Sequence, residues 1–441
     1  MEDMKMKRST GALACIAALL ATTVAWAASL EPVKPEDAGF SSERLGRIGQ
    51  VFKQLIGQDK FPGAVLLVAR NGRLVYSEAF GLQDRATGKP MGKDAIFRIY
   101  SMTKPLVTVA AMTLMEEGKL ELTDPISKYL PQFANVQVSV PKADPYGKIT
   151  YTLVPADRPP TVQDLMRHTA GLAYGEITGN AQVKEAYTKA GVFKPDMDYN
   201  ARDLTPDEEV ENLSKAPLVH QPGTAWEYSL AVDVLGRVVE KASGMPLQDY
   251  LAEHVLKPLD MKDTGFYVPK DQLARLAEPL PNDPETGKPN KVLDVSVPPK
   301  NASGGAGGVS TATDYMRFAQ MLLNGGELDG ARVLSPTTVK LMTSDSLGPD
   351  IPGVVEPGML LLGVKGYTFG LGFGVRKSDG LAGVPGSAGE YMWAGAAGTY
   401  FWVDPKLRLV GVMMTQFPGP SRPYYRKLFK QLVYAAVTDA D

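Results

Sequence analysis

The apolar positions change their period along this chain, and each change marks an element. Residues 36–56 carry apolar side chains at helical spacing and predict a helix. The run 63–69, Gly-Ala-Val-Leu-Leu-Val-Ala, is almost continuously apolar and predicts a strand; Asn71-Gly72 is a hairpin turn, and 74–80 returns as a second strand. From Pro105 to Glu117, Leu106, Val109, Ala110 and Leu114 fall at helical spacing before Gly118, which predicts an amphipathic helix with a glycine stop. A turn at Thr123-Asp124-Pro125 leads into a short helix within 120–130, and 161–172 reads as a helix with Thr161 as N-cap and Asp164 at its third position. Between them, 136–160 is proline-rich with little periodicity and reads as a surface excursion, part of a lid over a site. Helical patterns return at 206–214, 230–243, 247–254 and 311–324. After Thr368 the pattern changes to strands at 369–375, 391–393, 399–403 and 407–415, and 424–437 closes the chain as an amphipathic helix.

Strands therefore lie at both ends and helices in the middle. The economical arrangement is an α+β fold: one central antiparallel sheet built from both termini, flanked by helices, with a large helical region inserted. The α/β part would cover about 28–99 and 309–441, and the mainly helical part about 100–308. A site is expected at their junction, where concave surfaces form.

The first residues do not belong to that fold. Lys5, Lys7 and Arg8 precede an apolar run at 11–24, and Ala25-Trp26-Ala27 is a small-residue cleavage pattern. Residues 1–27 thus read as a bacterial secretory signal, with the mature domain at 28–441 in the periplasm or outside the cell. The single cysteine, Cys15, lies in that run, so cleavage would remove the chain's only thiol. Disulfides, thiol catalysis and cysteine-bound metals are then excluded. With 47 basic and 49 acidic residues the net charge is −2, and no basic run suggests nucleic acid. No later stretch is long and apolar enough to anchor the chain in a membrane.

The candidate chemistry begins in Phe97-Arg-Ile-Tyr-Ser-Met-Thr-Lys-Pro105. Ser101 and Lys104 form a Ser-x-x-Lys pair, expected in the first turn of the 105–117 helix with both side chains on one face. A hydroxyl and an amine held together at a helix N-terminus make an activated nucleophile, and unpaired N–H groups there favour developing negative charge. The spacing alone is weak, since serine is an ordinary N-cap. A histidine base has little support. His168 is expected to bond a helix end or a neighbouring carbonyl, His220 precedes a turn, and His254 lies in a surface helix. No Gly-x-Ser-x-Gly elbow occurs; Gly386-Ser-Ala-Gly389 lacks the first glycine.

The base is then Lys104 or a partner of it. Tyr228, between Gln221-Pro-Gly-Thr and the 230–243 helix, is the candidate partner. A tyrosine and a lysine sharing one proton titrate as a unit, which leaves open which of the two accepts it. Trp393-Ala-Gly395, followed by Ala396, fits a substrate-binding strand edge whose small residues admit close approach. The main-chain N–H groups of Ser101 and Ala396 would form an oxyanion hole.

Ser-x-x-Lys, Tyr and Trp-x-Gly, in that order, resemble the serine β-lactamase and penicillin-binding protein superfamily. The resemblance is nearest to the family VIII carboxylesterases, the esterase branch close to class C β-lactamases. It extends to Leu122-Thr-Asp-Pro-Ile126, Asp164-Leu-Met-Arg-His-Thr-Ala-Gly-Leu172, Gln221-Pro-Gly-Thr224, Lys257-Pro-Leu-Asp-Met261 and Gly308-Val-Ser-Thr-Ala312. It implies a β-lactamase/transpeptidase-like fold, with Ser101 as acyl-accepting nucleophile and Lys104 with Tyr228 as the base system. Trp393 and Gly395 would stand where lactamases and peptidases carry Lys-Thr-Gly or His-x-Gly.

Two departures bear on substrate. The lactamase Tyr-x-Asn is Tyr228-Ser-Leu230 here, which removes an amide, and the strand cation is Trp393. Lys377-Ser-Asp379 is a rival strand motif but has aspartate in place of the glycine. The expectation is a serine carboxylesterase acting on short-chain or small esters, without metal or cofactor. Alternatives are a class C-like β-lactamase, a D-amino-acid-specific peptidase, an acyltransferase, or a catalytically silent relative that binds peptidoglycan.

Overall fold

Phe401 and Trp402 are chain neighbours in a strand, yet they pack against different helices. Phe401 meets Tyr315 with ring centroids 5.0 Å apart, whereas Trp402 meets Phe429 at 5.4 Å. Successive strand residues point to opposite faces, so the sheet carrying them is covered on both sides. The structure, a computed structural model, describes residues 30–193 and 203–439. The expected signal at 1–27 lies outside the described residues.

The N-terminal part supplies β1 (Gly63–Arg70), β2 (Arg73–Asp84) and β3 (Lys89–Pro90). The C-terminal part supplies β4 (Tyr367–Phe369), β5 (Gly374–Arg376), β6 (Tyr391–Ala394), β7 (Tyr400–Asp404) and β8 (Leu409–Met414). Their order across the sheet is β4-β5-β6-β7-β8-β1-β2-β3, with each neighbouring pair antiparallel. The two ends of the chain meet where β1 pairs β8, with Leu67 opposite Val412. Every residue of β1 is buried, which is why its sequence is apolar without alternation. The fold is therefore α+β, β-lactamase/transpeptidase-like, with its antiparallel sheet built from both ends.

Helices α1 (Ser42–Gly57), α2 (Thr103–Glu116), α3 (Ala231–Ser243), α4 (Ala312–Leu323), α5 (Pro357–Leu362) and α6 (Arg422–Ala435) frame the site. Phe429 of α6 packs on Trp402 and on Phe52 of α1, while Tyr315 of α4 covers the opposite face. Thr103 to Leu114 of α2 are all buried. The expected amphipathic helix is thus a buried one: its remaining faces carry threonine and alanine, which pack as readily as leucine.

Several expectations change. The 36–56 helix is interrupted: a 3₁₀ turn over Pro35–Ala38 ends at Gly39 (φ 73°), and Ser41 caps α1 by accepting the Arg44 N–H at 3.3 Å. The 247–254 helix spans Leu247–Leu251 and runs on as a π-helical turn over Ala252–Leu256. The 369–375 strand is a tight hairpin, β4 and β5 joined through Gly370 to Phe373. The excursion at 136–160 is a regular hairpin of Gln137–Ala143 against Ile149–Pro155. Most of that hairpin is exposed on both faces, so no alternation marked it, and none of its residues lines the cavity described below.

The helix expected at 161–172 is only Val162–Met166, held by a capping box in which Thr161 accepts the Asp164 N–H. Asp164 is fully buried and also accepts from Arg158 (2.6 Å), Arg167 (3.1 Å) and Thr169 (2.8 Å). Burial alone would raise its carboxyl above the ordinary 3.8; hydrogen bonds from Arg158, the Thr161 N–H and Thr169 hold it below that value. A depressed carboxyl contributes stability above its unfolded value and loses that contribution as pH falls through the folded one. Asp164→Asn is therefore expected to cost about 1–3 kcal/mol at pH 7, by removing the buried charged acceptor that Arg158, Arg167 and Thr169 share. Urea melts should show the difference from wild type shrinking below pH ~4.

Candidate active site

The nucleophile candidate sits at a strained bend. Tyr100, immediately before Ser101, has φ 43°, in the left-handed region that bulky residues avoid. A 3₁₀ turn over Tyr100–Met102 then runs into α2, so Ser101 lies just ahead of the helix rather than in its first turn. The bend is over-determined. Thr103 Oγ1 donates to the Tyr100 carbonyl at 2.6 Å and accepts the Gly308 N–H at 2.9 Å, and the Ile99 N–H donates to the Gly308 carbonyl at 2.9 Å. Strain of this kind persists only where surrounding structure enforces it.

Four segments far apart in the chain meet around the Ser101 hydroxyl and the Lys104 amine. Tyr228 Oη lies 2.6 Å from Ser101 Oγ, and Lys104 Nζ lies 3.3 Å from it. Lys104 also donates to Tyr174 Oη at 2.8 Å and to the Gly305 carbonyl at 2.7 Å. Lys104 Nζ therefore faces three oxygen atoms at hydrogen-bond distance. The Lys104 nitrogen stands 4.7 Å from the Tyr228 ring centroid. One turn of hydrogen bonds therefore links hydroxyl, amine and phenol, and a proton leaving Ser101 has an acceptor at hydrogen-bond distance.

Asp233 of α3 anchors the far side. Its Oδ1 accepts from Ser303 Oγ at 2.5 Å and from the Gly305 N–H at 3.0 Å, placing the Gly305 carbonyl for Lys104. Burial raises the Asp233 carboxyl, opposed first by the charge of Lys104. Burial likewise holds the Tyr174 phenol well above its ordinary value, so Tyr174 stays protonated beside Lys104.

A cavity of about 290 Å³ opens over Ser101, Tyr174 and Tyr228, walled by Tyr100, Ile177, Leu360 and Leu361. Ala394, Gly395 and Ala396 at the end of β6 form one side, and Arg422 and Arg426 stand at another. Gly395 is required there: a Cβ would lie 2.4 Å from the Ile99 carbonyl oxygen, two residues before Ser101. Among the described residues, neither the Ser101 nor the Ala396 N–H has a main-chain hydrogen-bond partner. Both residues line the cavity, as an oxyanion hole requires.

The family model described as Beta-lactamase matches residues 48–435. The chain belongs to the β-lactamase family. Within the family, an uncharacterized protein of Mycobacterium tuberculosis is 37% identical over 364 residues, covering 80% of this chain and 85% of that one. Esterase EstB of Burkholderia gladioli is 32% identical over 434 residues, covering 93% of this chain and 99% of its own. The solved structure of EstCE1, described as a hydrolase with promiscuous acyltransferase activity, superposes with a TM-score of 0.71 at 28% identity, covering 90% and 99%.

Against the family pattern, the structure brings Ser101, Lys104, Tyr228, Gly395 and Ala396 together but keeps Trp393 back. The Trp393 indole is fully buried and does not line the cavity; it meets Tyr228 edge-on at 5.4 Å. It points away from the cavity because residues alternate along β6 and its neighbour Ala394 takes the cavity side. Together with His168 at 5.0 Å and Tyr174 at 5.1 Å, it boxes the Tyr228 ring in place. His168 lies beyond its helix at φ 57°, with Nδ1 3.1 Å from Ser229 Oγ, so its ring bonds a side chain and neither the helix end nor a neighbouring carbonyl. Burial, then the Lys104 charge, push its imidazole well below the ordinary range and keep it neutral. His220 pairs with Glu227 at 2.7 Å and His254 stacks on Tyr250, so none of the three histidines serves Ser101.

Tyr174, Asp233, Gly305, Arg422 and Arg426 carried no sequence signal that pointed to the site. Among the described residues no group of three or more His, Cys, Asp or Glu side chains is placed to hold a metal, and no helix is long and apolar enough to cross a membrane.

Proposed function

We propose that this protein is a serine carboxylesterase that cleaves small esters through an acyl-enzyme on Ser101. The observation that carries the reading is the Ser101 hydroxyl at 2.6 Å from Tyr228 Oη and 3.3 Å from Lys104 Nζ, on the floor of a cavity. Ser101 Oγ attacks the ester carbonyl and passes its proton to the Tyr228–Lys104 couple. The N–H groups of Ser101 and Ala396 receive the oxyanion. The C–O bond breaks, and the departing alcohol takes the proton back. Water then repeats the sequence on the acyl-enzyme, activated by the same couple, and frees the acid and Ser101.

Leucine, isoleucine and tyrosine side chains around the cavity suit a short apolar acyl or aromatic group. Leu230, where lactamases carry the asparagine, is buried and outside the cavity. The loss of the strand cation counts for less than the sequence suggests, because Arg422 and Arg426 bring cations to the cavity from α6. Acyl transfer to an alcohol is the second reading, favoured by the description of EstCE1.

A panel of p-nitrophenyl esters run beside nitrocefin tests the proposal. Turnover of the acetate and butyrate esters should exceed that of nitrocefin by about a hundredfold in kcat/KM, with a fluorophosphonate labelling Ser101. Comparable nitrocefin turnover would assign the site to β-lactams instead. Added alcohol that captures the acyl group faster than water does would assign it to transfer.

A further inference from the structure

We propose that Arg426 is a positioning residue of the oxyanion hole: its guanidinium, bonded to the Gly395 carbonyl, aims and polarises the peptide that carries the Ala396 N–H. The inference rests on the esterase reading and deepens it.

The Gly395 C=O and the Ala396 N–H are two ends of one peptide group. Arg426 Nη2 donates to the Gly395 oxygen at 2.6 Å, and Nη1 donates to the Leu361 carbonyl at 3.0 Å. A charged donor on a carbonyl is about twice as strong as a neutral one. It draws electron density toward the oxygen, which leaves the N–H of the same peptide more positive. That N–H is the one that would meet the oxyanion, so the guanidinium acts through a single amide.

The peptide is also fixed in place. Gly395 O accepts the Gly398 N–H at 3.1 Å, and the Gly395 N–H donates to Thr399 O at 2.9 Å. Gly395 packs against the Ile99 carbonyl on the Ser101 side, with no room for a Cβ. Arg422, one helical turn before Arg426 on the same face of α6, donates to the next carbonyl, that of Ala396. Two arginines thus hold two successive carbonyls on either side of the Ala396 N–H.

The electrostatic setting supports the same reading. Arg426 is 3% exposed, and among the described residues no carboxylate forms an ion pair with it. A buried cation without a counter-ion is costly, and its field reaches the place where negative charge develops during attack.

The bland role, a tie between β6 and α5, makes a different prediction, so the test needs a readout that packing would not move. Arg426→Gln is expected to lower kcat for p-nitrophenyl butyrate about thirtyfold with KM within about twofold. Inhibition by phenylboronic acid, which forms a tetrahedral adduct on serine, should weaken by the same factor. Arg426→Lys keeps one charged donor and should recover to about a fivefold loss in both. Thermal melts and fluorophosphonate labelling establish that each variant is folded with a reactive Ser101. If Arg426→Gln does not fold, Arg426→Lys decides alone. Unchanged kcat and boronate affinity in the folded variant, or a loss confined to KM, overturns the proposal. Wild-type protein that neither turns over esters nor takes the fluorophosphonate would remove the esterase reading itself, a separate failure.

Discussion

Ser101→Ala is expected to abolish ester turnover, and Tyr228→Phe and Lys104→Ala to lower kcat by about 10³-fold each. Alanine removes the only atom that takes the acyl group. Phenylalanine keeps the ring and its contacts with His168, Tyr174 and Trp393 but deletes the oxygen 2.6 Å from Ser101 Oγ. Alanine at 104 deletes the amine that donates to Tyr174 Oη and to the Gly305 carbonyl. In the proposed mechanism amine and phenol act as one proton acceptor, so the double variant should lose hardly more than either single one; independent actors would multiply to about 10⁶. Stability separates the two as well. Tyr228→Phe should melt close to wild type, whereas Lys104→Ala should lose about 1–3 kcal/mol for the lost buried hydrogen bonds, that to the Gly305 carbonyl first. Initial rates on p-nitrophenyl butyrate, with urea melts of each variant, check every arm. A Tyr228→Phe enzyme with near wild-type kcat would remove the phenol from the mechanism.

The parts of the site that are legible in the sequence are those with a local signature. Ser101 and Lys104 are three residues apart, Tyr228 follows a Pro-Gly turn at the mouth of a helix, and Gly395 with Ala396 closes a strand. The partners that complete the site have no such signature. Tyr174 reaches Lys104 only because the chain turns sharply at His168 and Gly171, both at positive φ, after a helix shorter than its pattern. Asp233 lies inside a helix and is read as a solvated position until the 303–305 loop covers it. Arg422 and Arg426 lie at the start of a terminal helix, where cations are ordinarily solvated. The fold follows the same rule. Strands buried on at least one face are visible as apolar runs, while the Gln137–Ala143 and Ile149–Pro155 hairpin carries no pattern because most of both its faces is exposed. Trp393 misleads for the converse reason: its place in a motif suggests contact with substrate, but alternation along β6 turns it inward.

The largest expected loss of stability lies behind the sheet. Lys430 of α6 and Glu390, next to β6, pair at 2.8 Å with both side chains fully buried. Glu390 also accepts from Tyr367 Oη at 2.5 Å and stands 3.6 Å from Arg376, while Tyr434 Oη bonds Asp404 at 2.8 Å beside it. Water reaches neither charge, so the cost of stripping both has already been met by their attraction and their hydrogen bonds. Lys430→Met fills the volume but leaves a buried carboxylate with weaker neutralisation from Arg376, and should cost about 3–5 kcal/mol. Burial already pushes the Lys430 amine below its ordinary range, opposed by Glu390, so the charge survives there because of its partner. Glu390→Gln alone strands the amine and should cost a similar amount. The double variant Glu390→Gln/Lys430→Met removes both members of the pair, leaving the buried Arg376 guanidinium to its carbonyl partners, and should recover part of either single loss, a coupling that urea melts measure directly. Additive losses would mean that the two side chains contribute through packing alone. Because α6 carries Arg426 to the Gly395 carbonyl 31 residues away along the chain, the single variants should also lose turnover before they unfold, and the double variant should regain it.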